Sequence, residues 1–203
     1  MAFDKFEAVP GIVVYNNVME NPKQFINDLE GLVEIGQLQW FEGSTSDDAA
    51  YPGESKIVNK VRDVHAISLP SLDRNPELKS EGSAQVLLSS YLDEVLLPVV
   101  KDYQNDYRAL AWNSNEGWQL LKYGVGQHFV NHVDDSKMFH RTVSMSFYLN
   151  DDYEGGEIEF PRFGLQVKPE PNQLIMFPSN YVYNHVVNPV TKGTRYAIVG
   201  WFE

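Results

Sequence analysis

From Trp112 onwards the chain is a succession of short apolar runs, each interrupted by glycine, asparagine, aspartate or proline. Apolar and polar residues alternate within several of these runs, which is the period of a strand with one buried face. The runs read "WQLLKY", "HFVNHV", "TVSMSFYLN", "EIEFP", "LQVKP", "QLIMFP" and "RYAIVGWF". Short strands separated by regular turn signals are typical of a β-sandwich or barrel, and this pattern predicts one for residues 111–203.

Two segments within residues 1–110 have helical periodicity instead. In "NPKQFINDLEGLVEIG", Asn21 is a candidate N-cap, Pro22 takes the first helical position and Gly36 ends the pattern. The segment "SAQVLLSSYLDEVLLPVVKDYQNDY" has one apolar side, and Pro98 is expected to kink or split its helix. We therefore predict an α+β, mostly β fold in which N-terminal helices buttress the C-terminal β-sandwich.

Residues 43–60, "GSTSDDAAYPGESKIVNK", are small and polar and show no periodicity. A surface loop explains them, and so does a lid over residues 43–62 that orders when a ligand binds.

Composition narrows the chemistry. The 203 residues suffice for one domain, 1–203, and no cysteine is present, which excludes disulfides and thiolate metal sites. Any metal must therefore bind histidine or carboxylate. The net charge of −12 makes a nucleic-acid partner unfavourable. No run approaches the roughly 20 apolar residues of a membrane span, and no signal peptide is visible, so a cytoplasmic protein without a membrane partner is expected.

The stretch "FVNHVDDS" holds the first candidate site. In a strand, His132 and Asp134 project to the same face, so an imidazole and a carboxylate could occupy adjacent positions around a metal. His185, in the last third of the β-rich region, can supply a third ligand from a neighbouring strand. Two histidines and one carboxylate form the facial triad of non-haem Fe(II) oxygenases. A chance pair and a buried, hydrogen-bonded His185 are the alternatives.

Other residues favour structural roles. His128 and His132 have the spacing of a helical zinc pair, but the strand pattern argues against a helix there. His128 and His140 are interpreted as structural or as neighbours of the site. Gly155 and Gly156 indicate a turn that needs positive φ.

Residues from about 119 to 201 resemble the 2-oxoglutarate- and Fe(II)-dependent dioxygenases, and among them the prolyl 4-hydroxylase branch. The matching segments, in order, are "LLKYGVGQHFVNHVDD", "RTVSMSFYLND", "GGEIEFP", "VKPEPNQLIMFPS" and "NHVVNPVTKGTRYAIVGWF". The resemblance implies a double-stranded β-helix, or jelly-roll, core in the C-terminal half. The first 110 residues match only loosely.

The resemblance assigns roles residue by residue. It places the iron ligands on His132, Asp134 and His185. It places the residue that binds the far carboxylate of 2-oxoglutarate on Arg195, whose planar fork suits a carboxylate. Tyr148 is similar to a tyrosine that donates to the same carboxylate.

Three further residues match more weakly. Tyr123 resembles a tyrosine at the entrance of the site that contacts cosubstrate or substrate. Trp201, on the strand face of Arg195, resembles a tryptophan on the substrate side. Arg62, in "NKVRDV", falls near a substrate-contacting loop.

The activity implied by the resemblance is oxidative decarboxylation of 2-oxoglutarate with O2, releasing succinate and CO2, with Fe(II) as the metal and ascorbate as a reductant. The substrate implied is a proline-containing peptide or protein, hydroxylated to 4-hydroxyproline. Because related halogenases lack the ligand carboxylate, Asp134 favours hydroxylation. A hydroxylase acting on a free amino acid or another side chain is the first alternative, and a non-catalytic metal-binding β-sandwich is the second.

Overall fold

The computed structural model describes residues 3–43, 45–46, 55–56, 60–108, 112–137 and 140–203. Most of the proposed lid (residues 44, 47–54 and 57–59) lies outside the described residues, so the lid stays a prediction. Neither α-helix in the described part of the chain combines the length and the apolar content that a bilayer span requires.

The described residues form two α-helices, α1 (Pro22–Glu34) and α2 (Ala84–Asp106), and seventeen strands. Strands before α2 are β1 (Lys5–Val9), β2 (Ile12–Tyr15), β3 (Phe41–Glu42), β4 (Thr45–Ser46), β5 (Ser55–Lys56), β6 (Arg62–Asp63) and β7 (His65–Leu69). Strands after α2 are β8 (Asn115–Tyr123), β9 (His128–His132), β10 (Val143–Tyr148), β11 (Glu154–Gly155), β12 (Ile158–Phe160), β13 (Leu165–Val167), β14 (Gln173–Pro178), β15 (His185–Val187), β16 (Val190–Lys192) and β17 (Arg195–Phe202). Short 3₁₀ segments cover Pro76–Ser80, Pro161–Phe163 and Tyr181–Tyr183.

Two antiparallel sheets face each other. The large sheet has eight strands in the order β1-β2-β14-β10-β17-β8-β7-β3, and the small sheet has five in the order β13-β12-β15-β9-β6. Buried side chains of both sheets pack together between them, such as Tyr148 and Phe177 of the large sheet against Ile158 and Phe160 of the small one. This arrangement is a jelly-roll, and the predicted fold class is confirmed.

The N-terminal half contributes more than helices. Strands β1 and β2 extend the large sheet beyond β14, β7 and β3 extend it beyond β8, and β6 pairs with β9 in the small sheet. The segment "PGIVVYNNVM" was expected to form a strand, and β2 lies within it, whereas the other strands of this half were not predicted. Strands β6 and β7 are two and five residues long, and their partners β9 and β8 lie about 50 to 70 positions further along the chain, so local sequence gives little signal for them.

The helices follow their sequence signals closely. The Asn21 side chain accepts a hydrogen bond from the Gln24 backbone N–H at 3.2 Å, and Phe25 and Leu29 are buried. Helix α2 runs unbroken through Pro98, so of the two predicted effects, a kink or a split, the split does not occur. Pro98 is exposed, and its missing N–H falls on the solvent side, where the carbonyl of the preceding turn can bind water.

The large sheet divides its side chains between two faces. Phe147 and Ile198 face the helices and belong to the core beneath α2, which includes Leu92 and Leu96. Tyr148 and its register partner Ala197 belong instead to the core between the sheets. Because successive strand residues point to opposite faces, one strand serves both layers.

Glu30 of α1 ties the outer face of this sheet together. Its Oε1 accepts hydrogen bonds from Lys122 Nζ of β8 at 2.8 Å and from the Tyr196 hydroxyl of β17 at 2.7 Å. Lys122 and Tyr196 are register partners, and the next pair along is Tyr123 and Arg195. Helix α1 thereby fixes the relative position of two strands that carry residues of the site described below.

The buried indole of Trp118 donates from Nε1 to Asp93 Oδ1 of α2 at 2.9 Å. We expect Asp93→Ala to leave this N–H without an acceptor and to lower the free energy of unfolding by about 1–3 kcal/mol. Asp93→Asn, which retains a carbonyl acceptor, is the matched control, and urea denaturation measures both. Equal losses in the two variants would contradict the role of the hydrogen bond.

Burial raises the pKa of Asp93 in the folded protein. A raised folded pKa means that ionisation of this carboxyl opposes folding, so its contribution to stability falls as pH rises through that pKa. The unfolding free energy of the wild type relative to Asp93→Asn should therefore decrease from acidic to neutral pH.

Candidate metal and cosubstrate site

His132 and His185 are brought together by strand pairing. His132 ends β9, His185 begins β15, and the two are register partners in the small sheet. The sequence predicted that Asp134 lies in the same strand as His132. The structure instead places it in a bend, two residues beyond the end of β9. It still turns to the same side: His132 Nε2 lies 3.6 Å from Asp134 Oδ1, and His185 Nε2 lies 3.7 Å from Asp134 Oδ2.

Both imidazoles present the same nitrogen to the site. His132 Nδ1 lies 2.8 Å from the Val130 carbonyl oxygen, and His185 Nδ1 lies 3.2 Å from that of Tyr183. A carbonyl only accepts, so each Nδ1 carries a proton, and each Nε2, which is the atom that a metal would use, faces Asp134. Burial, reinforced by the charge of His132, lowers the pKa of His185 to about 4. His185 is therefore neutral at neutral pH, as a metal ligand must be.

Asp134 is a buried carboxylate held by a serine. Ser144 Oγ donates to Asp134 Oδ2 at 2.6 Å, so Ser179 Oγ, 2.7 Å from Ser144 Oγ, must donate in turn to Ser144. The Asp135 backbone N–H also donates to the Ser179 carbonyl at 3.0 Å, which anchors the bend. Burial alone would raise the pKa of Asp134, but His185, His132 and the Ser144 donor outweigh it and hold that pKa far below its usual range.

These three residues suit a divalent cation. One atom from each of His132, Asp134 and His185 lies within 4.8 Å of the others. The carboxylate of Asp134 is buried beside the two imidazoles, and among the described residues neither lysine nor arginine forms an ion pair with it. Nitrogen and carboxylate donors in this ratio match iron. The described part of the chain offers no other such group of three, and His128 and His140 lie outside this one.

Arg195 lines the same pocket as the three candidate ligands. It is 2 % exposed, and its guanidinium carbon lies 4.9 Å from the ring centres of both Tyr123 and Tyr148. Its Nε and Nη1 are buried without a hydrogen-bond partner, as are the hydroxyls of Tyr148 and Tyr153. Burial alone would lower the pKa of Arg195. The neighbouring oxygens of Tyr148, Tyr123 and Tyr153 outweigh burial and raise this pKa, so the guanidinium stays cationic.

A buried cation with unused donors requires an anionic ligand. No carboxylate among the described residues pairs with Arg195, and the free donors of Arg195, Tyr148 and Tyr153 fit a carboxylate of a bound molecule. The resemblance placed Tyr123 at the entrance of the site. In the structure Tyr123 is 1 % exposed and packs on Arg195, so it lies deep in the pocket.

Tyr153 was not predicted. It follows "YLNDD" in a loop that carries no strand signal, and only the folded chain brings it beside Arg195. The neighbouring Gly155 and Gly156 have φ of 73° and 65°, which confirms the predicted turn. A Cβ on Gly156 would lie 3.0 Å from Arg195 Cδ, so this glycine also leaves room for the arginine.

Trp201 and Arg62 also line this pocket. Trp201 is six positions beyond Arg195 on β17, roughly 20 Å along an extended strand, and both line the pocket with the three candidate ligands. Arg62 is 7 % exposed, and its guanidinium lies over the Phe129 ring. Arg141, another residue that sequence reasoning missed, stacks on Trp201 at 3.9 Å and forms a two-point ion pair with Glu116.

The chain matches known proteins over this region. Residues 118–203, which contain all three candidate ligands and Arg195, match the model of the 2OG-Fe(II) oxygenase superfamily. A PKHD-type hydroxylase of Idiomarina loihiensis is 33% identical over 131 residues, 62% of this chain and 55% of the relative. One from Gloeothece citriformis is 33% identical over 64% of this chain and 59% of the relative. The chain thus spans little more than half the length of these relatives.

Solved structures share the fold. A Trichoplax adhaerens prolyl hydroxylase, solved in complex with a hypoxia inducible factor oxygen degradation domain peptide, has a TM-score of 0.72 at 18% identity, covering 95% of this chain and 83% of that one. A Pseudomonas putida prolyl-4-hydroxylase has a TM-score of 0.64 at 18% identity, covering 95% and 92%. At such identity the likeness establishes the jelly-roll fold alone.

We expect Ser144→Ala to weaken metal binding by about 10- to 100-fold, because the second oxygen of Asp134 loses the donor that orients it. Calorimetric titration of the purified protein with Mn(II), a redox-stable divalent probe, measures the affinity. Ser89→Ala is the matched control, since Ser89 is equally buried and donates to the Pro70 carbonyl far from the site. An unchanged Mn(II) affinity in Ser144→Ala would remove Ser144 from the site.

Arg195→Met should weaken binding of 2-oxoglutarate by about 100-fold or more, because a buried charge-assisted contact is lost. Calorimetry with Mn(II)-loaded protein measures this, and the Mn(II) affinity should stay unchanged. Arg162→Met is the control, since Arg162 is exposed beside Tyr181. Wild-type affinity for 2-oxoglutarate in Arg195→Met would show that the carboxylate binds elsewhere.

Proposed function

The chain belongs to the 2OG-Fe(II) oxygenase superfamily and resembles its prolyl 4-hydroxylase-like branch, and on this premise we propose that it hydroxylates a peptidyl substrate with Fe(II), 2-oxoglutarate and O2. The residue hydroxylated in this proposal is proline, converted to 4-hydroxyproline.

One observation carries the proposal. A buried carboxylate with two imidazoles and a buried arginine with unused donors line a single pocket. The first requires a cation and the second an anion. A divalent metal and a dicarboxylate that reaches from it to Arg195 satisfy both requirements together.

The pocket residues fall into a metal-binding group and a carboxylate-binding group. His132, Asp134 and His185 would hold Fe(II), and Arg195 with Tyr148 would hold the far carboxylate of 2-oxoglutarate. When bound, Fe(II) and 2-oxoglutarate supply the oxidising chemistry: O2 decarboxylates 2-oxoglutarate to succinate and CO2, and one oxygen atom enters a C–H bond of the substrate.

The protein contributes orientation and exclusion of water. His185 sits between the rings of Phe160 and Phe177, whose centres lie 5.8 Å and 4.9 Å from its own. The Phe129 ring stacks on His132 at 3.5 Å between centres. These aromatic contacts fix both imidazoles and keep bulk water away from the ligand nitrogens, so binding energy goes into a fixed geometry.

The substrate part of the proposal rests on the outer end of the pocket and on the relatives. Trp201 offers a flat apolar surface that Arg141 backs, which suits the saturated ring of proline. The relatives are PKHD-type hydroxylases, and the Trichoplax structure contains a bound peptide. A protein segment can present proline to this surface.

The test follows succinate and peptide mass together. Purified protein is incubated with Fe(II), 2-oxoglutarate and ascorbate, with and without proline-containing peptides. We expect succinate to form in step with one added oxygen per peptide, located on proline by fragmentation. The same peptides with alanine in place of proline are the control and should gain no oxygen.

Asp134→Ala should bind Mn(II) far more weakly and lose all turnover, because the charged ligand is gone. Turnover retained in that variant would refute the triad. Succinate without any peptide change would favour the alternative of a free amino acid or another side chain. No succinate with any candidate substrate would favour a non-catalytic metal-binding protein.

A further inference from the structure

A second, larger cavity lies next to the metal pocket. It is a groove of about 540 Å³ whose wall includes Arg62, which also lines the metal pocket. The site described above makes no use of the rest of this groove.

The groove is bordered by the edges of both sheets. Strand β3 is the outermost strand of the large sheet and β6 that of the small sheet, in the part of the chain that the structure describes. Phe41 and Glu42 of β3 and Arg62 of β6 all line the groove. A sheet edge offers backbone N–H and C=O groups that an extended polypeptide can pair with.

Its lining is polar but carries little charge. Four glutamines and a serine contribute side chains from four different parts of the chain, and the only charged residues among the groove's described lining are Glu42 and Arg62. These five residues are Gln37, Gln39, Ser68, Gln85 and Gln119. Carboxamides both donate and accept, so they match peptide groups and uncharged polar side chains better than they match ions.

The apolar residues of the groove are Leu38, Phe41, Ala66 and Ile67. Phe41 is 60 % exposed, which is unusual for a large aromatic side chain. An aromatic face beside several carboxamides is the mixed surface on which polypeptides are commonly bound.

A short chain of contacts links groove and metal pocket. Arg62 Nη2 donates to Gln119 Oε1 at 2.9 Å on the groove side, and the Arg62 guanidinium lies 5.2 Å from the Phe129 ring centre on the other. Phe129 in turn stacks on the candidate ligand His132. A polypeptide in the groove would therefore reach the metal pocket by passing over a single side chain.

We propose that this groove binds an extended, uncharged polar segment of the substrate that flanks the hydroxylated residue, so that the enzyme recognises a polypeptide and not an isolated amino acid. The proposal rests on the function proposed above and adds where specificity beyond the target residue arises.

The test compares two capped peptides. The short one holds proline with one residue on either side. The long one extends both sides by about six Ser, Thr, Gln and Gly residues, roughly 20 Å of extended chain per side. For the wild type we expect kcat/KM to be about tenfold or more higher for the long peptide.

Two groove variants should abolish this advantage and leave the short peptide unaffected. Gln37→Ala/Gln39→Ala removes carboxamides from exposed positions, and Ser68→Trp fills the groove from another exposed position. The control is Gln104→Ala/Gln166→Ala, which changes two glutamines outside the groove. Binding of the long peptide to Mn(II)-loaded protein, followed by intrinsic fluorescence, should weaken in the groove variants alone.

The outcomes separate this proposal from the one that it rests on. If wild-type protein hydroxylates both peptides with equal kcat/KM, or if the groove variants keep the long-peptide advantage, the groove proposal is wrong and the proposed function stands. If neither peptide is hydroxylated by wild-type protein, the peptidyl function fails, and the groove proposal fails with it.

Discussion

The two-residue period of three neighbouring strands, β10, β17 and β8, sets the positions of almost everything else in this protein. On one face of these strands, Phe147 and Ile198 pack beneath the helices. On the other face, Tyr148, Arg195 and Tyr123 point between the sheets, where a ligand can reach them. Because the side-chain period in a strand is two, neither face can be changed without constraining the other. The helices are therefore part of the functional architecture, although none of their side chains lines the metal pocket.

Electrostatics then specifies what enters the space between the sheets. Asp134 and Arg195 carry opposite charges and are both buried, yet the structure holds them at different places in the pocket and does not pair them. A direct ion pair would have satisfied both groups and closed the site. Held apart, each keeps room for a further partner: Asp134 and the two imidazoles can take a cation, and the unused donors of Arg195 can take an anion. The fold thereby presents a metal and an anion site at fixed positions relative to each other.

The sequence predicted the jelly-roll, both helices and the grouping of His132, Asp134 and His185, because each rests on local periodicity or on motifs in a constant order. It missed features that depend on distant contacts. Apart from β2, which was predicted, the strands of the N-terminal half are two to five residues long, and β6 and β7 pair with strands about 50 to 70 positions away. Ser144 and Tyr153 are ordinary members of "SMS" and "DDY", and only the folded chain shows that one donates to Asp134 and the other lies beside Arg195. Helix α2 does not split at Pro98, because this proline lies on the solvent side of the helix, where the carbonyl that lacks an N–H partner can bind water.

The hydrogen bonds from Lys122 and Tyr196 to Glu30 also affect the register of β17 against β8. If β17 slipped by one residue against β8, Tyr196 would turn inward and Arg195 would turn toward α1. The hydrogen bonds to Glu30, the helix-facing core and the anion-binding pocket would then all be lost together. A shift in register would therefore be opposed by the helix-facing core as well as by the pocket, so the packing that stabilises the fold also selects the register that forms the site. Helix α1 in this way stabilises the strand register on which the pocket depends, although no α1 residue lines the pocket.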